Sequence, residues 1–168
     1  MRIRPLEVAD AEEYRRLRLW GLQESPSAFG STYAEEVTMP LETIVQRLGL
    51  NRPAESFVLG AFSDAGRLVG MTGCYREGKV KSRHRAHIWG MFVAPDFRGQ
   101  GIGRALLEAA IHRATQMPGL RWLDLDVAAG NGAARSLYVS CGFVPFGLEP
   151  EANFQNGVYT DLEYMTLR

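Results

Sequence analysis

The chain has 168 residues, the size of one ordinary domain, and enough apolar sequence to bury a core. Its 19 basic and 19 acidic side chains cancel, which excludes the positive excess typical of general nucleic-acid-binding proteins. No apolar run approaches the roughly 18 to 20 residues that a membrane helix needs, and the N-terminus does not lead into a secretory signal. We therefore expect one cytoplasmic domain, residues 1–168, with no nucleic-acid or membrane partner.

The two cysteines, Cys74 and Cys141, are too few for a disulfide framework and lack the spacing of metal ligands. We expect both thiols to be reduced and buried, and we expect no metal site. No activating base neighbours Cys141 in the sequence, so covalent catalysis through this thiol is not expected.

The N-terminal half of the sequence predicts two helices and the start of a β-meander. Asp10 and Glu13 have the spacing of a capping box, so a helix is expected to begin there, with Tyr14, Leu17 and Leu22 on its buried face. Residues 25–40 are rich in Ser, Thr, Gly and Pro and predict a loop with at most one helical turn, before a second helix at 41–48. Strands are predicted at residues 2–6, 56–62, 67–75 and 87–93.

The C-terminal half alternates helices with strands. Apolar residues recur at helical intervals over residues 101–117, alternate over 120–127 and return to helical spacing over 131–141. Two further strands are predicted at 143–148 and 158–167. A meander followed by alternating helices and strands indicates an α/β or α+β fold with a mixed sheet.

Candidate ligand-binding residues concentrate at residues 93–104, where a buried strand passes through a glycine-rich turn into a helix. Gly99, Gly101 and Gly103 let the backbone approach a ligand closely, and the first amides of the helix have no partners within it. A pyrophosphate fits such a turn. The Arg-x-x-Gly-x-Gly spacing matches neither the dinucleotide fingerprint nor the Walker A loop. A purely structural strand-to-helix connection is the alternative.

Two motifs in this order resemble the GNAT family of N-acetyltransferases, and the resemblance covers nearly the whole chain. The first is the glycine-rich turn, where Arg98, Gly101 and Gly103 match the family's Gln/Arg-x-x-Gly-x-Gly/Ala. The second is the segment 131–143, which is similar to the family's Asn-x-x-Ala-x-x-Leu-Tyr helix that ends in Gly-Phe. The resemblance implies a mixed, mostly antiparallel central sheet with helices on both faces.

The resemblance also implies how a donor is bound. In the family, the strands that correspond here to residues 87–93 and 120–127 splay apart, and acetyl-coenzyme A (acetyl-CoA) lies in the gap. Direct transfer of the acetyl group to a primary amine in a ternary complex is implied, with no metal and no covalent intermediate. The residues implied to bind acetyl-CoA are Met91, Phe92, Val93, Arg98, Gly99, Gln100, Gly101, Ile102, Gly103, Arg104, Asn131 and Tyr138.

Tyr138 is the expected general acid, since the resemblance places it to protonate the leaving thiolate. A core tyrosine whose hydroxyl finds a carbonyl is the alternative. A backbone amide among residues 91–93 is expected to stabilise the charge on the carbonyl oxygen where strand pairing is broken. Asn131 either contacts pantetheine or only caps its helix.

The general base has no motif of its own. His87 occupies the strand position where many histone-type relatives carry a glutamate, and an imidazole can accept a proton near neutral pH. Glu35, Glu36 and Asp161 are alternatives, because the loop after the first helix and the C-terminal hairpin form the acceptor pocket in the family. A chain of water molecules is another.

The basic side chains are expected to have different roles. Arg98 is expected to stabilise the turn, and Arg104 to reach a phosphate. The basic stretch at residues 76–85 predicts a solvated hairpin tip, with a docking patch for CoA phosphates or for an acidic acceptor as the alternative.

Two rival functions remain open. One is a nucleotide-binding enzyme in which Asp124 or Asp126 binds a ribose, although the glycine spacing counts against it. The other is a non-catalytic domain that keeps the fold and CoA as a sensor, against which the retained Tyr138 argues. The acceptor is left open among small amines, antibiotics, amino-acid derivatives, protein N-termini and lysines, and the resemblance implies a homodimer through the C-terminal strands as one assembly.

Overall fold

The computed structural model describes residues 1–168, which form one seven-stranded sheet with helices on both faces. The strands are β1 Arg2–Pro5, β2 Ser56–Phe62, β3 Leu68–Arg76, β4 Arg85–Val93, β5 Trp122–Ala128, β6 Val144–Gln155 and β7 Val158–Leu167. The helices are α1 Ala11–Glu24, α2 Tyr33–Glu36, α3 Leu41–Arg47, α4 Ile102–Thr115 and α5 Gly132–Ser140. No helix is both long and apolar enough to cross a lipid bilayer.

The strand order is β1-β2-β3-β4-β5-β7-β6, and every neighbouring pair is antiparallel except β4 and β5. The predicted mixed, mostly antiparallel sheet is therefore confirmed. The parallel pair is short: β4 and β5 are in register only from Arg85 opposite Trp122 to His87 opposite Asp124. Beyond this point the strands diverge, so the β5-facing edge of β4 from Ile88 onward has no strand partner. The predicted splay is confirmed.

Two hydrophobic cores lie on opposite faces of the sheet. One core packs α4 and α5 against the sheet and contains Leu106, Leu107 and Leu125, each at most 1% exposed. The other packs α1 and α3 and contains Tyr14 and Leu17. Burial of each such side chain contributes roughly 1.5 to 3 kcal/mol, so the sheet is held firmly between the two layers.

A β-bulge in β4 changes which side chains face each core. Met71 pairs with Phe92 and Gly73 with Trp89, so that Gly90 and Met91 together lie opposite a single residue of β3. Gly90 has φ +64°, a left-handed conformation that favours glycine. As a result Phe92 packs into the α1 core, whereas Met91 turns toward the α4 side.

The predicted capping box between Asp10 and Glu13 is wrong. The Asp10 carboxylate accepts hydrogen bonds from Arg4 at 2.6 and 2.8 Å and from the Glu7 amide at 2.8 Å, and it caps nothing in α1. The Glu13 carboxylate binds Arg16 at 2.9 Å. Asp10 thus pairs with Arg4 of β1 and does not cap α1, because a charged guanidinium binds a carboxylate more strongly than a backbone amide does.

The segment at residues 25–40 contains a 3-10 turn and the single helical turn α2, as predicted. A capping box missed in the sequence fixes α2, since Thr32 Oγ1 accepts from the Glu35 amide at 3.3 Å and the Glu35 carboxylate accepts from the Thr32 amide at 2.6 Å. This small element places Glu36 beneath α1.

The C-terminal hairpin is longer than predicted. We expected β6 to end at residue 148, before Pro150, but the strand continues to Gln155. Pairing with β7 is interrupted between Glu149 and Asn153 and then resumes. Glu151 has φ +53° within this interruption, so the proline and the bend are absorbed by an irregular stretch without ending the hairpin.

Candidate active site

The glycine-rich turn lies between the end of β4 and the first residue of α4. Gly99 and Gly101 have φ +72° and +78°, and a Cβ atom at either position would meet open space. Backbone conformation, and not crowding, therefore requires glycine at both positions. Gly103 serves another purpose, because its Cβ would lie 3.4 Å from Leu137 of α5, where the two helices approach closely.

The backbone amides of the turn are free to bind an anion. None of the amides from Gly99 to Arg104 donates a hydrogen bond to a protein acceptor, whereas the next one, Ala105, donates to the Gly101 carbonyl at 3.0 Å. The amides lie at the N-terminus of a 14-residue helix, where the helix dipole adds positive potential. The turn therefore fits the pyrophosphate that its sequence predicts.

Arg98 holds the turn in place. Its Nε donates to the Val93 carbonyl at 2.9 Å, and its two terminal nitrogens bind the Glu24 carboxylate at 3.0 and 2.6 Å. Hydrogen bonds from Arg98 and Ser25 lower the pKa of Glu24. These contacts join the end of β4 to the end of α1, in agreement with the stabilising role expected for Arg98.

The side chains of Gln100 and Arg104 point elsewhere. Gln100 donates to the Asp96 carbonyl at 3.2 Å. Arg104 donates to Ser140 Oγ at 2.7 Å and lies 3.7 Å from Cys141 Sγ, at the far end of α5. The structure thus brings the amides of these residues to the turn, but it does not bring the Arg104 guanidinium to the phosphate position expected from the sequence.

Two cavities meet behind the turn. The first, here called the turn cavity, has a volume of about 370 Å³ and is lined by residues from β4, the turn and α5, among them Met91, Val93, Gly101, Ile102 and Leu137. The second, here called the tyrosine cavity, has a volume of about 260 Å³ and contains Tyr138. The residues common to both linings are Ala28, Met91, Asn131 and Ala134. A molecule bound at the turn can therefore extend into the tyrosine cavity.

Tyr138 lies at the wall of the tyrosine cavity. Its side chain is buried, packs edge-on against Phe143 with ring centroids 6.2 Å apart, and makes no hydrogen bond to the protein through its hydroxyl. Burial, and then the charge of Asp126, raise its pKa well above the usual 10.0. A phenol that stays protonated beside an open cavity has the properties of a general acid.

His87 is near this cavity but does not line it. Its Nε2 lies 2.9 Å from Asp126 Oδ1, and its ring stacks on Tyr75 with centroids 5.6 Å apart. Asp126 does line the tyrosine cavity. The sequence had suggested for this residue only the binding of a ribose. The signal was present in the alternation of β5, because Leu123, Leu125 and Val127 face the core and so place Asp124 and Asp126 on the opposite face.

The other acidic candidates for the general base are already bound by groups of the protein. Glu35 is used in the α2 capping box. Burial alone would raise the pKa of Glu36, yet hydrogen bonds from Arg18 and Ser31 and the charges of Arg18 and Arg47 lower it to about 2. Asp161 accepts a hydrogen bond from the Glu151 amide at 2.8 Å and does not line the tyrosine cavity.

Asn131 has both of the features between which the sequence could not decide. Its Oδ1 accepts from the Ala134 amide at 3.1 Å and caps α5, while the residue also lines the turn cavity and the tyrosine cavity. Capping therefore fixes the side chain at the junction of the two cavities.

The basic stretch at residues 76–85 forms the connection between β3 and β4. Arg76 donates to the Pro118 carbonyl at 2.9 Å, Arg83 binds Glu55, and Arg85 binds both oxygens of Asp124. Thr166 also donates to Asp124, so this carboxylate is not available to a ribose. No group of three or more His, Cys, Asp or Glu side chains is arranged to hold a metal ion.

Comparison with known proteins agrees with this geometry. Residues 12–143 match the model of the acetyltransferase (GNAT) family. The spermidine N(1)-acetyltransferase of Vibrio cholerae is 35% identical over 82 residues, which are 49% of this chain and 47% of that protein. The chain thus spans less than half the length of this curated relative.

Solved structures cover the whole fold. The ribosomal-protein-alanine N-acetyltransferase of Brucella melitensis is 27% identical, with a TM-score of 0.85 over 99% of both chains. A phosphinothricin acetyltransferase from Sinorhizobium meliloti, solved in complex with acetyl-CoA, has 19% identity and a TM-score of 0.84 over 99% of this chain and 86% of that one. The second similarity concerns the fold alone.

Proposed function

Because this chain belongs to the GNAT acetyltransferase family, we propose that it transfers an acetyl group from acetyl-CoA to a primary amine. One observation carries the proposal: the run of free amides from Gly99 to Arg104 opens onto a cavity that continues to the protonated phenol of Tyr138. An anion site joined to a general acid is what transfer from a CoA thioester requires.

The donor site is built from the turn and the free edge of β4. The turn amides hold the pyrophosphate, and the unpaired edge of residues 91–93 binds pantetheine beside Asn131 and Ala134. Met91, next to Gly90 in the bulge, lines both cavities where they meet. An amide there stabilises the charge that develops on the thioester carbonyl oxygen as the amine attacks.

Proton transfer uses Asp126 of β5 on one side and Tyr138 of α5 on the other, and both residues line the tyrosine cavity. The amine proton leaves through Asp126, which lines the cavity, and His87 supports Asp126 through the 2.9 Å hydrogen bond. Tyr138 donates its proton to the departing thiolate. Neither cysteine suits an acyl-enzyme route, because burial raises the pKa of Cys74 to about 12 and Cys141 lies beside Arg104 outside both cavities. The proposed route is therefore direct transfer of the acetyl group from acetyl-CoA to the amine in a ternary complex.

Isothermal titration with acetyl-CoA, CoA and NAD tests the donor site. We expect binding of acetyl-CoA and CoA, none of NAD, and loss of CoA binding in Gly101→Glu, whose carboxylate repels the pyrophosphate. Gly66→Glu is a matched control, because Gly66 also has a left-handed φ, +76° against +78°, and also faces open space. Both variants carry the same strain and charge, so loss of binding in both, or in neither, contradicts the assignment of the turn.

Turnover separates an enzyme from a non-catalytic CoA-binding domain. Thiol release from acetyl-CoA in the presence of amine acceptors is expected of the enzyme. Tight binding of acetyl-CoA without thiol release for any amine would identify a sensor. No feature of the two cavities favours that function.

Three further expectations stay predictions: a single domain spanning residues 1–168, a cytoplasmic location and a homodimer. The edge strand β6 exposes Val144, Phe146 and Leu148, each between 57% and 60% accessible, and an apolar edge of this kind suits self-association. Light scattering of the purified protein measures the assembly. A monomer at micromolar concentration would contradict the dimer.

A further inference from the structure

Arg18 of α1 is a buried cation in the wall of the tyrosine cavity. Its side chain is only 7% exposed. The Nε atom donates to both oxygens of Glu36 at 3.3 and 3.1 Å, and Nη2 donates to Glu36 at 2.8 Å and to Ser31 Oγ at 2.9 Å. Two of its three nitrogens are thus fixed by the protein.

The third nitrogen, Nη1, has no protein acceptor. It lies on the side of the guanidinium that faces the β4 bulge, 3.4 Å from the position that a Cβ atom of Gly90 would take. The guanidinium carbon lies 4.4 Å from the ring centroid of Phe29 and 6.0 Å from that of Trp89. Arg18, Phe29, Trp89 and Gly90 all line the tyrosine cavity, so the free donor belongs to its wall.

The charge around Arg18 is not balanced. Glu36 is shared, because Arg47 also binds it at 2.7 Å, and the two guanidinium groups against one carboxylate leave an excess positive charge. Arg47 is 24% exposed and reaches water, whereas Arg18 is only 7% exposed, so water compensates the charge of Arg18 poorly. The other charged group lining the cavity is Asp126, which is bound to His87.

From these observations we propose that the amine acceptor carries a carboxylate, which Nη1 of Arg18 binds within the tyrosine cavity. This inference rests on the proposed acetyl transfer and names the class of its substrate: a small amino acid or a close analogue. Asp126 faces the ammonium group before deprotonation, Arg18 faces the carboxylate, and Phe29 and Trp89 contact the apolar part of the molecule. The tyrosine cavity has a volume of about 260 Å³ and also admits the thioester end of acetyl-CoA, so the acceptor must be small.

Matched pairs of acceptors test the inference on the unmodified protein. Each of a series of L-amino acids is compared with its carboxamide and with the amine that lacks the carboxyl group, first in titrations of the CoA-bound protein and then for thiol release from acetyl-CoA. At least one amino acid is expected to bind roughly tenfold to hundredfold more tightly than its carboxamide, as for hydrogen bonds to charged groups. Spermidine, a polycation, is expected to bind poorly.

Arg18→Gln and Arg47→Gln form a matched pair of variants. Both remove one guanidinium from Glu36, but Arg47 does not line the tyrosine cavity. Arg18→Gln is expected to abolish the preference for the carboxylate over the carboxamide, whereas Arg47→Gln is expected to keep it. Should Arg18→Gln fail to fold, the acceptor pairs on the unmodified protein still decide.

The outcomes separate this inference from the proposed function. Equal or weaker binding of every amino acid relative to its carboxamide overturns the inference, as does retention of the preference in a folded Arg18→Gln. If acetyl-CoA binds and neutral amines or spermidine are acetylated best, the proposed acetyltransferase function stands, but the inference that the acceptor carries a carboxylate is wrong. If acetyl-CoA does not bind, the proposed function itself fails.

Discussion

Tyr138 is the residue on which the proposed chemistry depends most directly. Replacing it with phenylalanine keeps the ring packing against Phe143 but removes the acidic proton. We expect Tyr138→Phe to lower kcat by roughly 10²- to 10⁴-fold, the usual contribution of a general acid, and to change the Kd for acetyl-CoA little. Tyr159→Phe on the exposed face of β7 is the control.

The pH dependence of the same step follows from the raised pKa. A group with a raised pKa keeps its proton to higher pH, so the acid form of Tyr138 persists above the ordinary value of 10.0. The rate of acetyl transfer, measured with saturating acceptor, is therefore not expected to fall between pH 8 and about 10 through loss of this proton. A decline with a midpoint below pH 10 that disappears in Tyr138→Phe would contradict the burial argument.

Asp126 is the proposed general base, and His87 supports it through a hydrogen bond. Since Asp126 lines the tyrosine cavity, whereas His87 reaches that cavity only through its hydrogen bond to Asp126, Asp126→Asn is expected to reduce kcat/KM by about a hundredfold and His87→Gln by less. Steady-state kinetics across pH 6 to 9 measure both. A larger loss in His87→Gln would show that the histidine accepts the proton itself.

At the scale of elements, the turn depends on a clamp between α1 and β4. Arg98→Gln removes the bonds to Glu24 and Val93, so the turn loses its support and acetyl-CoA is expected to bind about tenfold more weakly. Arg104→Gln removes contacts with Glu108, Ser140 and Cys141, all away from the turn, and is expected to leave the affinity unchanged. Titration calorimetry compares the two. A larger loss of acetyl-CoA affinity in Arg104→Gln than in Arg98→Gln would support the phosphate-binding role that the sequence suggested for Arg104.

The bulge in β4 is the second element that shapes the site. Gly90 is its sign in the sequence, because an isolated glycine within a strand can mark a bulge, although the rest of residues 88–93 has the pattern of an uninterrupted strand. Its position is decided by β3, where Thr72 stands opposite two residues and its hydroxyl donates to the Trp89 carbonyl at 3.4 Å. Such a register is a property of two strands together, so Gly90 alone could indicate a bulge but not which residue of β3 lies opposite it.

At the scale of the whole molecule, the cluster around Glu36 joins α1, α2 and α3 and makes stability depend on pH. The pKa of Glu36 falls from an ordinary 4.5 to about 2 in the folded protein. A lowered folded-state pKa stabilises the fold above the unfolded-state pKa, and this stabilisation is lost as pH falls through the folded one. The loss is expected between about pH 4.5 and 2 and amounts to about 3 kcal/mol.

Thermal unfolding at a series of pH values measures this loss. Glu36→Gln is expected to lower Tm at pH 7 and to flatten the decline of Tm below pH 4.5. Asp64→Asn is the control, because Asp64 is exposed and pairs only with the amino terminus. An unchanged acid profile in Glu36→Gln would show that other carboxylates dominate.

Much of the architecture could be predicted from the sequence, because it rests on local patterns. Periodicity gave the strands and α4, and the spacing of Arg98, Gly101 and Gly103 indicated an anion-binding turn whose amides are indeed free. The errors arose where a residue of another element decided a local choice. Asp10 is bound by Arg4 of β1, and the extension of β6 past Pro150 depends on its pairing with β7.

The sequence by itself determined the family and the turn that fits a pyrophosphate, since each depends on residues close together in the chain. The sheet with helices on both faces was implied by the resemblance to that family. Only the tertiary structure decided which side chains share the tyrosine cavity. Asp126 faces it because β4 and β5 separate after His87, and Arg18 enters its wall because α2 brings Glu36 beneath α1. These groups come from segments more than 100 residues apart, and no local pattern records such a meeting.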